Sequence, residues 1–266
     1  MAGTGKGQKL FLGLVFLILY APIFFLIFYS FNSGGTMTSF ESFTWEHYAA
    51  VFEDTRLIMI VFNTVIVALL SSLLATTIGV LGALAIVYMK NRKLRSTLLS
   101  LNNVLIVSPD VIIGASFLIL FTALGVKLGF TSVLVSHVAF SVPIVVLMVL
   151  PKLLEMSNSL IDAARDLGAS GKDVLTRVII PYIKPGIFAG FFLALTYSLD
   201  DFAVTFFVTG NGFSTLSVEI YSMARAGITL TINALSGLLF IVTVGLVLGY
   251  YALNRRSKTL FTGVKR

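Results

Sequence analysis

Long apolar stretches, separated by short polar segments, run the whole length of the chain. The hydrocarbon core of a bilayer is about 30 Å thick, and an α-helix needs about 20 apolar residues to cross it. Each such stretch must be helical, because a backbone in lipid has to satisfy its own hydrogen bonds. The pattern predicts an all-α integral membrane protein, a single transmembrane domain (1–266) with six spans at 10–31, 60–89, 98–124, 132–150, 186–209 and 232–253.

Prolines and small residues modify these predicted helices. Pro22, Pro109 and Pro143 fall inside spans, where we expect tolerated kinks because neighbouring helices satisfy the freed carbonyls. Small residues at helical spacing either permit close approach of a second helix or reflect the ordinary composition of membrane spans. They are Ser72, Thr76, Gly79 and Ala83 in the second span and Gly245 and Gly249 in the last.

The composition supports a membrane location. The chain is 57% hydrophobic and only 12% charged, which is about half the charged share of a typical soluble domain. A net charge of +7 would suit a nucleic-acid partner if the basic residues shared one face, but they form short clusters between apolar runs. We therefore expect contact with lipid and none with nucleic acid. The absence of cysteine excludes disulfides and thiolate metal sites.

The basic residues also predict the topology. Cytoplasmic loops of membrane proteins are enriched in Lys and Arg. With the N-terminus inside, only Arg56, Lys127 and Arg225 of the 19 basic residues fall on the outer side. Both termini are therefore predicted to be cytoplasmic. The first apolar run, preceded by Lys6 and Lys9, resembles a signal peptide but is too long for one, so we interpret it as a retained anchor.

The polar segment 151–185 has the pattern of two short helices. An apolar stripe at helical spacing predicts the first, and it consists of Leu160, Ala163, Ala164 and Leu167. Gly168 stands where a helix C-terminal cap is expected. Ser170 and Asp173 predict a capping box that opens the second helix, and Pro181 is expected to end it. The apolar face of the second helix is Val174, Leu175, Val178 and Ile179.

This segment is similar to a known motif. The string Asp162-Ala163-Ala164-Arg165-Asp166-Leu167-Gly168, followed after nine residues by Val178-Ile179-Ile180-Pro181, resembles the EAA loop of bacterial ABC importer permeases. Asp162 stands where that family prefers Glu. In the family, the loop docks in a groove on a cytoplasmic ATPase, which binds ATP and Mg in place of the permease. The resemblance implies a coupling role for Asp162, Ala163, Ala164, Asp166, Leu167, Gly168 and Pro181. A DNA-binding helix-turn-helix is disfavoured between two spans, and a purely structural loop remains the alternative.

Three acidic residues, Asp110, Asp200 and Asp201, lie within predicted spans. A charge in hydrocarbon costs at least about 2.5 kcal/mol, so such residues are candidates for a functional site. At 1.5 Å per residue, Asp110 and Asp200 lie about 18 and 21 Å into their spans, at similar depth. No Lys or Arg within the spans neutralises them, and His137 is expected to be a packed polar residue. The acids therefore bind a cation, stay protonated or pair with another subunit, unless the pair merely caps a helix break. The ring of Tyr197 can attract an ammonium group.

Further strings extend the resemblance over nearly the whole chain. They are Ser30-Phe31-Asn32-Ser33, Ser108-Pro109-Asp110, Ser136-His137, Ser198-Leu199-Asp200-Asp201, Phe207-Val208-Thr209-Gly210 and Ile220-Tyr221-Ser222-Met223. Together they are similar to the second permease subunits of spermidine/putrescine ABC importers, which implies a type I ABC importer permease fold. The resemblance implies a bacterial inner-membrane subunit working with a sister permease, an ATPase dimer and an external polyamine-binding protein. It also implies a place in the polyamine pathway for Asp110, Ser198, Asp200 and Asp201, and more loosely for Trp45.

Other functions remain open from the sequence. The same architecture would serve ferric iron, thiamine or another solute, although the acids disfavour anionic cargo. An ion-coupled secondary transporter would suit buried acids but has no use for an ATPase-docking loop. An intramembrane hydrolase lacks cysteine and a metal cluster, and His137 shows no dyad spacing to a Ser or Asp. Segment 210–231 predicts a short external helix that faces either the binding protein or its own subunit.

Overall fold

The computed structural model describes residues 6–227, 229–241 and 244–245, and helices account for most of them. The helices are α1 (Lys6–Tyr29), α2 (Glu46–Glu53), α3 (Thr55–Tyr88), α4 (Arg92–Val107), α5 (Asp110–Ala123), α6 (Phe130–Glu155), α7 (Asn158–Asp166), α8 (Gly171–Asp200), α9 (Ala203–Val208), α10 (Leu216–Ala226) and α11 (Leu230–Ile241). They form two compact units: Met59–Glu219, and the described residues of Met1–Ile58 together with Ile220–Arg266. The all-α prediction is confirmed for the described residues.

Four of the described helices, α1, α3, α6 and α8, are long and apolar enough to cross a membrane. Helix α3 has 34 residues, or about 51 Å at 1.5 Å per residue, which exceeds the hydrocarbon thickness of about 30 Å. Helices α4 and α5 pass the same test only as a bent pair. Residues 242–243 and 246–253 of the predicted last span, 232–253, lie outside the described residues, and Gly249 is among them.

The predicted third span, 98–124, is divided at Pro109, where a kink was expected. Helices α4 and α5 meet there at an angle of 109°. Ser108 and Pro109 both have extended backbone, with ψ of 137° and 132°. A proline disfavours helical geometry in the residue before it, so α4 stops at this point. Asp110 then opens α5, where a negative charge is favourable beside the free amides of a first turn. Pro22 and Pro143, by contrast, lie inside α1 and α6 as predicted.

The expectation that Pro181 ends a helix is wrong, because Pro181 lies within α8. The preceding turn, Val174–Ile179, is π-helical, and the Ile180 amide donates to the Leu175 carbonyl, five residues back. Proline lacks an N–H, and its ring normally collides with the carbonyl four residues earlier. The π turn changes the hydrogen-bond register by one residue directly before the proline, and the helix continues through it.

The predicted fifth span, 186–209, differs from the structure at both ends. Helix α8 begins well before residue 186 and continues for 30 residues. It stops at Asp200, and α9 begins only at Ala203. Residues 201–202 are not helical. The fifth span is therefore interrupted near its end, beside the two adjacent acids.

Helix α6 is the centre of the larger unit. The buried side chain of Val145 lies between two glycines from neighbouring helices. A Cβ added at Gly79 of α3 would lie 2.7 Å from the Val145 Cβ, and one at Gly190 of α8 would lie 3.2 Å from the Val145 Cα. Glycine is required for such close backbone approach. The predicted small-residue face of α3 is thus confirmed at Gly79 and at Ala83, which is fully buried in the same core cluster.

Candidate functional site

The break between α8 and α9 is held by the carboxylate of Asp201. Its Oδ1 accepts a hydrogen bond from the Val204 amide at 3.3 Å, and its Oδ2 accepts from the Thr205 amide at 2.8 Å and the Thr205 hydroxyl at 2.6 Å. These amides belong to the first turn of α9, where backbone N–H groups have no acceptor within the helix. Asp201 is 8% exposed. The expected alternative, that the acids cap a helix break, therefore describes what this side chain does.

His137 of α6 lies beside Asp201 and is fully buried. Its Nδ1 is 2.6 Å from the Ser198 hydroxyl and its Nε2 is 2.8 Å from the Thr205 hydroxyl. The same Nε2 is 3.5 Å from Asp201 Oδ2. His137 is a packed polar residue as expected, and it contacts Ser, Thr and Asp side chains that sequence spacing did not reveal. The fold brings together residues that are more than 60 positions apart.

The hydrogen-bonded cluster continues into α3. The Ser198 hydroxyl lies 3.0 Å from the Ser71 hydroxyl, whose oxygen is also 3.2 Å from the Ala68 carbonyl oxygen. Ser71 and Ser198 are both buried. Buried polar side chains are stable in an apolar medium only when they are paired in this way. One polar cluster thus connects four helices, α3, α6, α8 and α9, at the break. We call it the break cluster, and it consists of Ser71, His137, Ser198, Asp201 and Thr205.

The break cluster includes a Ser, a His and an Asp, as hydrolases do, but its geometry does not suit hydrolysis. A hydrolytic serine must reach a substrate carbonyl beside hydrogen-bond donors. Ser198 is 3% exposed, and its hydroxyl already bonds two side chains. The cluster instead holds helices in place. Among the described residues, no group of three or more His, Cys, Asp or Glu side chains is arranged to hold a metal ion.

Asp110 joins the same region from the other broken span. It is partly exposed at the start of α5, and the Tyr197 hydroxyl donates to its Oδ1 at 2.6 Å. Tyr197 lies on α8, three residues before Asp200, and its ring packs edge-on against Phe140 at 5.0 Å between centroids. Asp200 is exposed at the last position of α8. The structure therefore brings Asp110, Tyr197, Ser198, Asp200 and Asp201 together at two helix breaks.

Close packing fixes the two breaks relative to one another. A Cβ at Gly114 of α5 would lie 3.0 Å from the Val204 Cα and 2.8 Å from the Phe207 ring. Around this contact lies a core cluster in which Ile113, Val133 and Phe140 are buried with Val204 and Val208. Because α5 and α9 touch at backbone distance, the acids at their first turns cannot separate without opening this core.

The smaller unit contains Trp45, immediately before α2. Its side chain is 61% exposed and belongs to a cluster of aromatic rings with centroid distances of 5.0 to 5.5 Å. The cluster consists of Phe31, Phe43, Trp45 and Tyr48. Buried Asn32 organises the adjoining segment, because its side chain bonds the carbonyls of Thr36 and Ser39 and the amides of Gly34 and Glu41. Trp45 is therefore presented on an ordered support.

The predicted helix–turn–helix of segment 151–185 is present. Helix α7 ends at Asp166 and Gly168 follows with φ of 82°, in the left-handed region that favours glycine. The Ser170 hydroxyl accepts from the Asp173 amide at 3.2 Å, which is the N-cap bond that the capping box predicts. The same hydroxyl donates to the Asp173 carboxylate at 2.5 Å. Val174, Leu175, Val178 and Ile179 pack inward as expected.

One face of α7 packs against the protein and the opposite face is exposed. Ile161 is buried and packs with the start of α8, and Ala164 lies against the same cluster. Leu160 is exposed, and Leu167, just past the helix end, is 90% exposed. The remaining motif residues, Asp162, Ala163, Asp166 and Gly168, are exposed as well, and so is Pro181 on α8. Buried residues of the segment thus fix its conformation, while Leu160 and Leu167 form an exposed apolar edge.

Sequence reasoning missed Ser71 and Thr205 and undervalued His137. Polar residues inside apolar stretches were the available signal, since each must find a partner. A hydroxyl can, however, bond the carbonyl one turn back in its own helix, as Ser136 does with Ser132 at 2.8 Å. The presence of a polar residue therefore does not reveal whether its partner is local or on another helix.

The described residues form apolar helices with two breaks, acids at both breaks and a displayed helical loop. This combination is typical of one class of protein, the membrane subunit of a transporter. Residues 75–258 match the family described as "Binding-protein-dependent transport system inner membrane component". The chain belongs to this family.

Curated relatives cover nearly the whole chain. The spermidine/putrescine transport system permease protein PotC of Haemophilus influenzae is 32% identical over 250 residues, 94% of this chain and 97% of that protein. PotC of Escherichia coli K12 is 34% identical over 253 residues, with 95% and 96% covered. The putrescine transport system permease protein PotI of the same organism is 31% identical over 259 residues, with 94% and 92% covered.

Solved structures show the same fold. A bacterial ABC transporter involved in the import of the acidic polysaccharide alginate has a chain that aligns with a TM-score of 0.72 at 18% identity, covering 93% of this chain and 94% of that one. A methionine ABC transporter aligns with a TM-score of 0.58 at 21% identity, covering 79% and 96%. The chain is thus a multi-pass permease of the ABC importer type rather than an enzyme.

Proposed function

We propose that this chain is a permease subunit of an ATP-driven importer that moves polyamines such as spermidine and putrescine across the bacterial inner membrane. The observation that carries the proposal is the set of acids at the two helix breaks, Asp110, Asp200 and Asp201. The names of the PotC and PotI relatives support the same cargo. Six spans with both termini in the cytoplasm complete the proposed topology.

The chemistry of a polyamine fits this arrangement. Polyamines carry several ammonium groups on a flexible chain, and they need spaced carboxylates that hold them weakly enough to let go. Asp200 is exposed and Asp110 is partly exposed, so both offer free oxygens to an ammonium group. Asp201 adds a negative charge beside them, although its oxygens accept bonds from α9. The ring of Tyr197 adds a face for cation–π attraction.

The displayed loop provides the coupling. We propose that the motif residues of α7 and Leu167 dock on a separate ATPase dimer, which binds ATP and Mg. The support is that Leu167 and Leu160 are exposed apolar side chains next to a buried anchor, Ile161. Exposed apolar side chains on a rigid support are typical of an interaction site. A sister permease and an external polyamine-binding protein complete the proposed complex, with Trp45 and the segment around α10 on the outer side.

The direct test is ATP-dependent uptake of radiolabelled spermidine and putrescine into vesicles carrying the reconstituted complex. We expect uptake to require ATP and to collapse in Asp200→Asn and Asp201→Asn, while ATPase association persists. Lys127→Gln, a charge change outside the break cluster, serves as the control and should transport normally. Absence of polyamine uptake from an assembled, ATP-hydrolysing complex would reject the cargo and direct the search to other cations.

A further inference from the structure

A buried histidine bonds both sides of the helix break. Ser198 lies on α8 before the break and Thr205 lies on α9 after it, and the two ring nitrogens of His137 reach one each, at 2.6 and 2.8 Å. His137 belongs to a third helix, α6, whose backbone is fixed by the packing of Val145 between glycines. The position of α9 is therefore set by a side chain from the most tightly packed helix of the unit.

The hydrogen-bond chemistry gives the contact with Thr205 a direction. An ionised carboxylate only accepts hydrogen bonds. The Thr205 hydroxyl, 2.6 Å from Asp201 Oδ2, must therefore donate its hydrogen to the carboxylate. Its oxygen then has only lone pairs for His137 Nε2, so Nε2 carries a hydrogen. His137, Thr205 and Asp201 form a directed chain that ends on the carboxylate beside Asp200.

The other ring nitrogen can be satisfied in either protonation state. When Nδ1 is bare, the Ser198 hydroxyl donates to it and the Ser71 hydroxyl donates to Ser198. When Nδ1 carries a hydrogen, the chain reverses: Ser198 donates to Ser71, and Ser71 donates to the Ala68 carbonyl, 3.2 Å away. His137 keeps both contacts in each case, so the connection across the break holds whatever the charge on the ring.

We propose that His137 is a positioning residue that fixes α9 and Asp201 relative to α8, and so keeps Asp200 aimed at the transported cation. The inference rests on the proposed polyamine transport and deepens it. It also divides the work between the adjacent acids. Asp200 is exposed and contacts the cation, whereas Asp201 holds the break and acts on the cation through its charge.

The first test compares variants in the reconstituted complex with its ATPase, sister permease and binding protein. His137→Phe keeps a ring but loses both nitrogens. We expect it to lower the maximal rate of spermidine uptake by at least about tenfold, the effect of about 1.4 kcal/mol in a barrier. The half-saturating concentration of loaded binding protein should not change, since delivery takes place before the cation reaches the break.

Two matched variants separate positioning from general damage. His137→Gln retains an amide N–H that can donate toward Thr205, and it should recover part of the lost rate. Ser136→Ala removes the neighbouring hydroxyl, whose bond runs to Ser132 within α6, and it should transport normally. If His137→Phe fails to assemble, Thr205→Val takes its place, because it keeps the side-chain shape and removes the hydroxyl.

A second readout does not depend on transport. The chain has no cysteine, so Val208→Cys places a single thiol at a fully buried position of α9. We expect slow modification by a methanethiosulfonate reagent, and modification at least about tenfold faster when His137→Phe is added, because an opening free energy lowered by about 1.4 kcal/mol gives that factor. Ser136→Ala in the same background should leave the thiol protected.

Either a normal uptake rate or an unchanged thiol rate in the His137→Phe variant overturns the inference. If the wild-type complex transports no polyamine, the proposed cargo fails on that result alone. The thiol measurement then still decides whether His137 positions α9.

Discussion

The phenolic hydroxyl of Tyr197 donates a hydrogen bond of 2.6 Å to Oδ1 of Asp110, 87 residues away in the chain. Tyr197 lies one turn before the end of α8, and Asp110 is the first residue of α5. The bond therefore links the break at Pro109 to the break after Asp200. One polar contact thus joins the two breaks. Asp110 takes part in it directly, and Asp200 and Asp201 follow Tyr197 by three and four residues.

Removing this hydroxyl should impair transport while leaving the fold intact. In Tyr197→Phe the ring still packs on Phe140, but Asp110 loses a donor that orients its carboxylate. A hydrogen bond to a charged group contributes about 1.5–3 kcal/mol, so we expect spermidine uptake to fall by about tenfold or more at normal complex yield. Tyr182→Phe is the control, because its hydroxyl makes a long bond of 3.4 Å to the Glu155 carbonyl. Equal uptake by the two variants would contradict the proposed role of the contact.

A charge at Leu167 should disrupt association with the ATPase. The side chain is 90% exposed, so Leu167→Glu leaves the packing of the chain unchanged. It places a carboxylate in the apolar edge proposed to dock on the partner. We expect the ATPase to be lost on copurification and ATP-dependent uptake to cease. Thr176→Glu adds the same charge to an exposed position of α8 in the same segment and should copurify normally. Retention of the ATPase by Leu167→Glu would place the docking surface elsewhere.

Asn32 should control the order of the segment before α2. Its amide makes four hydrogen bonds to the backbone within that segment, and the residue is fully buried. Each buried group left unpaired costs about 1–3 kcal/mol. In Asn32→Ala we expect amides between residues 33 and 44 to exchange hydrogen for deuterium at least about tenfold faster in the intact complex. Ser33→Ala, an exposed hydroxyl bonded to Ser42, is the control. Unchanged exchange in Asn32→Ala would show that the aromatic cluster alone holds the segment.

Gly114→Ala should destabilise the contact between α5 and α9. The added Cβ would lie 2.8 Å from the Phe207 ring and 3.0 Å from the Val204 Cα, and overpacking of this kind costs about 1–3 kcal/mol. We expect a lower apparent melting temperature for the purified complex. Gly82→Ala meets Val146 at an ordinary 3.9 Å, so the higher helix propensity of alanine should leave its stability equal or slightly raised. A melting temperature for Gly114→Ala as high as that of Gly82→Ala would contradict the close approach.

The apolar pattern predicted α1, α3 and α6 to within a few residues, because length and hydropathy alone decide whether a segment is suited to lipid. At Pro109 the pattern predicted a kink where the structure has a 109° bend between two helices, and at Pro181 its prediction of a helix end was wrong. Both prolines follow an apolar run, but one ends a helix and the other continues it. The outcome depends on the preceding backbone, which is extended at Ser108 and π-helical at Val174–Ile179. The spacing of apolar residues does not predict which backbone conformation precedes a proline.

The candidate site was predicted in part for a related reason. Asp110, Asp200 and Asp201 stand out because ionisable residues are rare in apolar spans. The partners of these acids do not stand out, because hydroxyls such as those of Ser71 and Thr205 can bond a carbonyl of their own helix, and a lone histidine in a span was expected to be a packed polar residue. Which partner a buried hydroxyl takes is decided by helix packing across many residues of chain. A single sequence therefore identifies the three acids as candidates but does not identify the side chains that hydrogen-bond to them.

Helix α8 runs for 30 residues from the capped turn at Gly171 to Asp200, about 45 Å at 1.5 Å per residue. It crosses Pro181 and Pro185 without interruption. The single helix α8 therefore connects the displayed loop at its first turn to the exposed carboxylate of Asp200 at its last residue. A tilt of about 5° about its first turn would displace the far end by about 4 Å, more than a hydrogen-bond length. In the proposed complex, small movements of the ATPase would thus be enough to bring Asp200 to the cation or withdraw it, with no change in secondary structure between the two ends.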